Sequence, residues 1–274
     1  MKKRTLKALF THITLLIFTV IALFPFIWIL TNSFKTRVQV FAIPPLWIFT
    51  PTLTNYSDIL LNSDFPHHIS NSVIVTSASI SLALFLGVPA GYVFSRYKIR
   101  FKESMYFFIF TTRMGPPIAF AIPFYLIFNA LKLLDTHIAL IILYQTFNLP
   151  FTIWMMRGFF QEVPPEIDEA ALIDGCSRLK AFFYVVLPLV KSGLFATAIL
   201  SVIFSWNEFF LASIITRSVA RTVPVDLPAF IGLTRIHWEK MCAAASITAI
   251  PVLFFAFIVR KQLVRGLTLG SVKG

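Results

Sequence analysis

Residues 164–175 read Pro-Pro-Glu-Ile-Asp-Glu-Ala-Ala-Leu-Ile-Asp-Gly, and nine residues further on the chain reads Val185-Val186-Leu187-Pro188. Pro164 and Pro165 suit the entry to a helix, where a missing N–H costs nothing. Glu166, Asp168 and Glu169 then put carboxylates near the positive end of the helix dipole. Ala170, Ala171 and Ile173 continue at good or tolerable helix propensity. Gly175 supplies a left-handed stop. The expected helix has roughly two to three turns, too short to be stable alone in water. It therefore needs a partner surface, and small Ala170 and Ala171 are expected to let one approach closely. The bland alternative is a helix lying on lipid headgroups. Such helices favour Lys and Arg on their polar face, whereas this one opens with three acids.

Outward from this loop the chain is apolar. It is 57% hydrophobic and 13% charged, outside the range of soluble domains. Residues 8–34, 65–95, 114–131, 136–156 and 241–259 contain no Asp, Glu, Lys or Arg, and 192–216 contain only Glu208. About 20 apolar residues cross a bilayer core as a helix. The expectation is an all-α polytopic membrane protein with six transmembrane helices, near 11–33, 69–94, 104–130, 137–157, 191–214 and 241–262. The loop 161–188 lies between the fourth and fifth. Only short loops remain, so 1–274 reads as a single transmembrane domain with no soluble catalytic part.

Basic residues set the orientation. The amino terminus, the second-to-third loop, the fourth-to-fifth loop and the tail carry sixteen Lys and Arg, and the opposite side carries seven. With Arg113 inside a span, this accounts for all 24. Both termini and the Glu169 loop are expected to be cytoplasmic. The net charge of +12 is thus a topology signal. Nucleic acid is a poor partner for basic residues scattered over short membrane-flanking loops. The first apolar run is too long for a signal peptide, and no small-residue cleavage site follows it. Cys176 and Cys242 fall on opposite sides and are not expected to pair. His67-His68 has no second ligand pair, so packing or solvation is expected there and no metal site.

Two charges cannot be moved out of the spans. Arg113 lies about 13 Å along an ideal helix from Ser104, beside Pro116 and Pro117, which break the backbone ladder. Broken backbone in lipid survives where protein or water satisfies it. The expected role of Arg113 is structural, with carbonyls freed at the break accepting its hydrogen bonds. Glu208 lies about 24 Å from Ser192, with Trp206 and Asn207 beside it. An aromatic ring beside amide and carboxylate groups is sound sugar-binding chemistry. One reading puts Asn207 and Glu208 on a translocation path, with Trp206 at its edge. The other pairs Glu208 with a basic group on a neighbouring helix or subunit.

The Glu169-Ala170-Ala171, Gly175 and Val185-Val186-Leu187-Pro188 spacing resembles the signature loop of bacterial ABC-importer permeases, with Val185 in place of the usual Ile. Arg113-Met114, Ile122-Pro123 and Leu133-Leu134-Asp135-Thr136 resemble the carbohydrate-type members. So do Asn55-Tyr56 in the first outer loop, Ser205–Phe209, and the tail Leu263–Gly274, which is similar to the ending of a maltose-type permease. The resemblance implies a type I importer permease whose loop is a coupling helix. Two separate ATPase subunits would dock at residues 163–176 through Glu169, Ala170, Ala171, Asp174 and Gly175. It further implies a second homologous permease subunit, an extracytoplasmic solute-binding protein, a carbohydrate substrate and a place in the bacterial cytoplasmic membrane. This chain would hold no cofactor, ATP and Mg being bound by the ATPases; no Gly precedes a Lys anywhere, so the phosphate-binding loop pattern is missing. The rival readings are a proton-coupled carrier using Glu208, which would need no docking helix, and a membrane-embedded enzyme. For the latter the sequence offers no paired catalytic carboxylates and no Ser/His/Asp set.

Overall fold

The computed structural model describes residues 2–232 and 236–268, with side chains from Ala8 to Val259 apart from 233–235. The described residues are helical, with one isolated bridge between Ile231 and Ile236. They form two compact units, Met1–Pro66 with Asp226–Ile250 and His67–Val225 with Pro251–Gly274. Three helical spans are long and apolar enough to cross a membrane: Ala8–Ser33, Phe65–Arg96 and Trp238–Val259. Three bent pairs also qualify if each is one span, which allows up to six.

In the first unit, the Lys2–Ser33 helix ends where the Asn55 amide donates to the carbonyls of Ser33 and Lys35, at 2.8 and 2.9 Å. Orphan carbonyls at a helix end need such donors. Tyr56 shares a 2.7 Å hydrogen bond with Ser33, so the Asn55-Tyr56 pair works as a two-pronged closure. Both residues belong to the Thr54–Leu61 helix, close to the short helix expected there. No residue from 8 to 31 is buried within the chain, so lipid or another polypeptide must cover that stretch.

The second unit carries the interrupted spans. The expected 104–130 span is two helices, Lys102–Met114 and Pro117–Ala130, bent by 91° at Gly115-Pro116. Each half is about 20 Å long at 1.5 Å per residue, short of a ~30 Å core. His137–Leu143 and Gln145–Glu162 meet at 41°. The expected fifth span, 191–214, is corrected: its helix Lys191–Trp206 stops, and a new one runs Phe210–Ile215.

Close packing holds the middle together. A Cβ on Gly87 would sit 2.7 Å from the Thr152 methyl, and one on Gly91 would sit 2.9 Å from Met156 Cβ. Small residues let membrane helices approach this closely. The Gln145–Glu162 and Lys191–Trp206 helices run antiparallel through two polar contacts. Asn148 donates to Ser205 at 2.7 Å, and Thr197 donates to the Met156 sulfur at 3.7 Å. That register sets buried Thr152 level with buried Ser201.

Candidate functional site

The loop helix spans Glu166–Ile173, with acids in its first turn as expected. Gly175 has φ +86°, the left-handed region. Its N–H bonds the Leu172 carbonyl at 3.1 Å, and the Cys176 N–H bonds the Ala171 carbonyl at 3.0 Å. This is the Schellman closure that a glycine permits. Exposed residues on the outer face include Glu169, Ala170, Leu172 and, at 86% exposure, Ile173. Asp174 and Gly175 are exposed as well.

Ala171 departs from expectation. It is buried within the chain, so of the two alanines only Ala170 faces an outside surface. The helix phase is set by Asp168, whose carboxylate accepts from the Tyr92 hydroxyl and from Arg96 Nε, the latter at 2.8 Å. Arg96 also donates to the Val163 carbonyl at 2.7 Å. After the loop, Ala181–Val186 is a wide π-turn closed by Leu187 N–H to Phe182 O. Pro188 cannot donate to Tyr184, which favours such a widening just before it.

Deeper in the same unit, Arg113 Nη1 donates to the Phe147 carbonyl at 2.8 Å. Its guanidinium lies 4.6 and 4.7 Å from the ring centres of Phe151 and Phe204. Planar cations stack well on such faces. The expected acceptor is corrected. It is a carbonyl of the adjacent helix, not one freed at the Pro116-Pro117 break. Sequence reading missed Phe147, Phe151 and Phe204, which carry no chemical signature of their own.

The Trp206–Glu208 arrangement is also corrected. The three residues do not follow one another around a helix, because the helix ends at Trp206. Trp206 is buried, Asn207 is exposed and Glu208 is half-buried. The Asn207 amide donates back to the Ile203 carbonyl at 2.7 Å. Glu208 accepts from the N–H groups of Leu211 and Ala212, at 2.8 and 3.0 Å. Its carboxylate thus caps the next helix, where the dipole favours an anion. Within this chain its partners are these backbone donors, with the Tyr144 hydroxyl close by.

The Leu133–Thr136 stretch has a clear physical purpose. Asp135 takes φ +58°, which Asp tolerates better than most residues. One carboxylate oxygen accepts from the N–H groups of Arg217 and Ala220, the other from Ser218 and Val219, all at 2.9 to 3.0 Å. Burial pushes this carboxyl up, but the four donors outweigh it and bring it down to about 2. Thr136 then caps the His137–Leu143 helix. From the other side, His67 and Asn71 both bond the Val219 carbonyl. The 217–221 segment is held from two directions. Among the described residues no cluster of His, Cys, Asp or Glu could hold a metal. Cys176 and Cys242 are both free. Of the tail Leu263–Gly274, side chains and residues 269–274 lie outside the described residues.

The described residues thus form a helical fold with membrane-length spans and a short helix set between interrupted spans. Residues 80–268 match the family described as binding-protein-dependent transport system inner membrane component, and the chain belongs to that family. It is 38% identical over 270 residues to a probable ABC transporter permease protein, y4oR, of Sinorhizobium fredii, covering 98% of this chain and 97% of that one. It is 34% identical over 278 residues to the trehalose/maltose transport system permease protein MalG of Thermococcus litoralis, covering all of both chains. Among solved structures it is similar to a chain of a bacterial ABC transporter involved in the import of alginate, an acidic polysaccharide. There the TM-score is 0.77 and the identity 25%, over 95% of this chain and 98% of that one. The chain is a multi-pass membrane permease subunit of an ATP-driven importer.

Proposed function

We propose that this chain forms the membrane path for a sugar or oligosaccharide, as one of two homologous permease subunits. Two ATPases dock on the loop 163–176, and an extracytoplasmic binding protein delivers the substrate. ATP and Mg sit in the ATPases, and this chain does no chemistry of its own. The chain is a single transmembrane permease domain, its spans number six, and both termini lie in the cytoplasm of a bacterial cell. ATP-driven closure of the ATPases brings the loop helices together, and the bundle turns outward.

The observation that carries this is the short helix Glu166–Ile173, closed by Gly175 and exposing Glu169, Ala170 and Ile173. A helix this short needs a partner. The sugar class is supported by the likeness to a trehalose/maltose permease and to an alginate importer. Glu208 is occupied by the amides of Leu211 and Ala212, which suits a cap better than a proton carrier. The substrate-path assignment of Asn207 and Glu208 rests on the exposure of Asn207 at the break. The test is uptake of radiolabelled sugars into vesicles holding the whole transporter. ATP-dependent uptake that survives a proton ionophore is expected. Uptake driven by a proton gradient without ATP would overturn the reading.

A further inference from the structure

The loop helix is fastened to the chain by one buried polar bracket. Tyr92 and Arg96 lie one turn apart on the Phe65–Arg96 helix, so both reach the same neighbour. They occupy different oxygens of one carboxylate, that of Asp168. The side chains of Arg96 and Asp168 are 11% and 14% exposed, so water competes little for the pair. The second arm of Arg96 holds Val163, ahead of the loop helix. The Tyr92 ring is fixed by Phe182 at 4.8 Å and Phe160 at 5.4 Å between ring centres, one after the loop and one before it. Behind Tyr92, Gly91 rests against the Met156–Arg157 backbone.

Apolar contacts alone let a short helix slide or roll. Two donors on the two oxygens of one carboxylate fix both its distance and its rotation. A push on the exposed face at Ile173 then displaces the Phe65–Arg96 helix with the loop helix. We propose that Asp168, held by Tyr92 and Arg96, is the positioning residue that transmits movement of the loop helix to the Phe65–Arg96 span. This rests on the docking reading above and adds the route by which docking is felt inside the membrane.

The test uses the whole transporter in vesicles, with ATPase retention, ATP hydrolysis and sugar uptake measured on one preparation. Asp168→Asn removes the charge at nearly constant size. The expected result is retained ATPases with sugar moved per ATP hydrolysed lowered by about five-fold or more, the lower range of allosteric couplings. Tyr92→Phe, which removes one of the two donors, is expected to lower the same ratio by less. Should Asp168→Asn fail to assemble, Arg96→Lys keeps the charge, loses the fork and reports the same ratio. An unchanged ratio in the assembled variants overturns the proposal. Loss of ATPase retention with a normal ratio in the complexes that remain also overturns it, since Asp168 would then serve docking alone. Ile173→Asp separates the two ideas: ATPases that stay bound to that variant sink the docking surface, whatever Asp168 does.

Discussion

Replacing Asp135 by Asn should loosen the 217–221 segment without disturbing the helices. The carboxylate satisfies four N–H groups with two oxygens. An Asn has one oxygen, so its NH2 must face two of those donors. The fall of this carboxyl from 3.8 to about 2 corresponds to about 2.4 kcal/mol of preference for the charged form. Asp135 is partly open to solvent, so screening reduces this to about 1–1.5 kcal/mol. Local opening of the segment should then rise about five- to ten-fold. Amide hydrogen exchange at Val219 and Ala220 at pH 7 reads this directly. Trypsin cleavage after exposed Arg217 should accelerate in parallel. The sign follows from the lowered value. The stabilisation is complete above the ordinary carboxyl value near 4 and is lost as pH falls through about 2. The variant should therefore differ most at neutral pH and converge with the parent near pH 2. Exchange within about two-fold of the parent at Val219 and Ala220, or an equal rise at every amide, would refute the account.

Gly175→Val meets open space, since no atom lies within 4 Å of an added Cβ, so only the positive φ opposes it. That strain is about 1–2 kcal/mol; sugar-stimulated ATP hydrolysis should fall in Gly175→Val and fall less in Gly175→Asn, and equal effects would show that side-chain bulk, not backbone, is at issue. Arg113→Ala empties the slot between Phe151 and Phe204 and removes the second donor to the Phe147 carbonyl. The yield of assembled complex should drop while uptake per assembled complex persists, and Arg113→Lys should fall between, as measured by detergent-stable complex recovered. Glu208→Gln leaves one N–H of the Phe210–Ile215 helix facing an amide NH2, a loss of about 1 kcal/mol at that cap. Uptake should suffer more than assembly, and normal uptake from a poorly assembled complex would reverse the assignment.

The interruptions that sequence reading found are those written in proline or glycine. Pro116-Pro117 marked the 91° bend, and Gly175 marked the end of the loop helix. The break after Trp206 carries neither residue type. It exists because Asn207 turns its amide back on Ile203 and Glu208 caps forward onto Leu211 and Ala212. Uninterrupted hydropathy concealed it. The inward turn of Ala171 was equally invisible, because the helix phase is fixed by Tyr92 and Arg96, 76 and 72 residues from Asp168. Likewise the Leu-Leu-Asp-Thr resemblance drew notice to Asp135 without revealing its task, since its donors lie 82–85 residues away.

A machine that alternates between two shapes needs joints as well as struts. Bending a continuous helix means stretching or breaking its ladder bonds; bending where the ladder is already cut does not. The second unit has such cuts at Gly115-Pro116, Val190 and Asn207–Phe209. Between them Gly87 and Gly91 press the Phe65–Arg96 helix so tightly onto Gln145–Glu162 that even a methyl group would not fit. The stiff members and the soft corners are thus separated along the chain. A shape change driven from the loop would turn the corners and leave the welded pair intact.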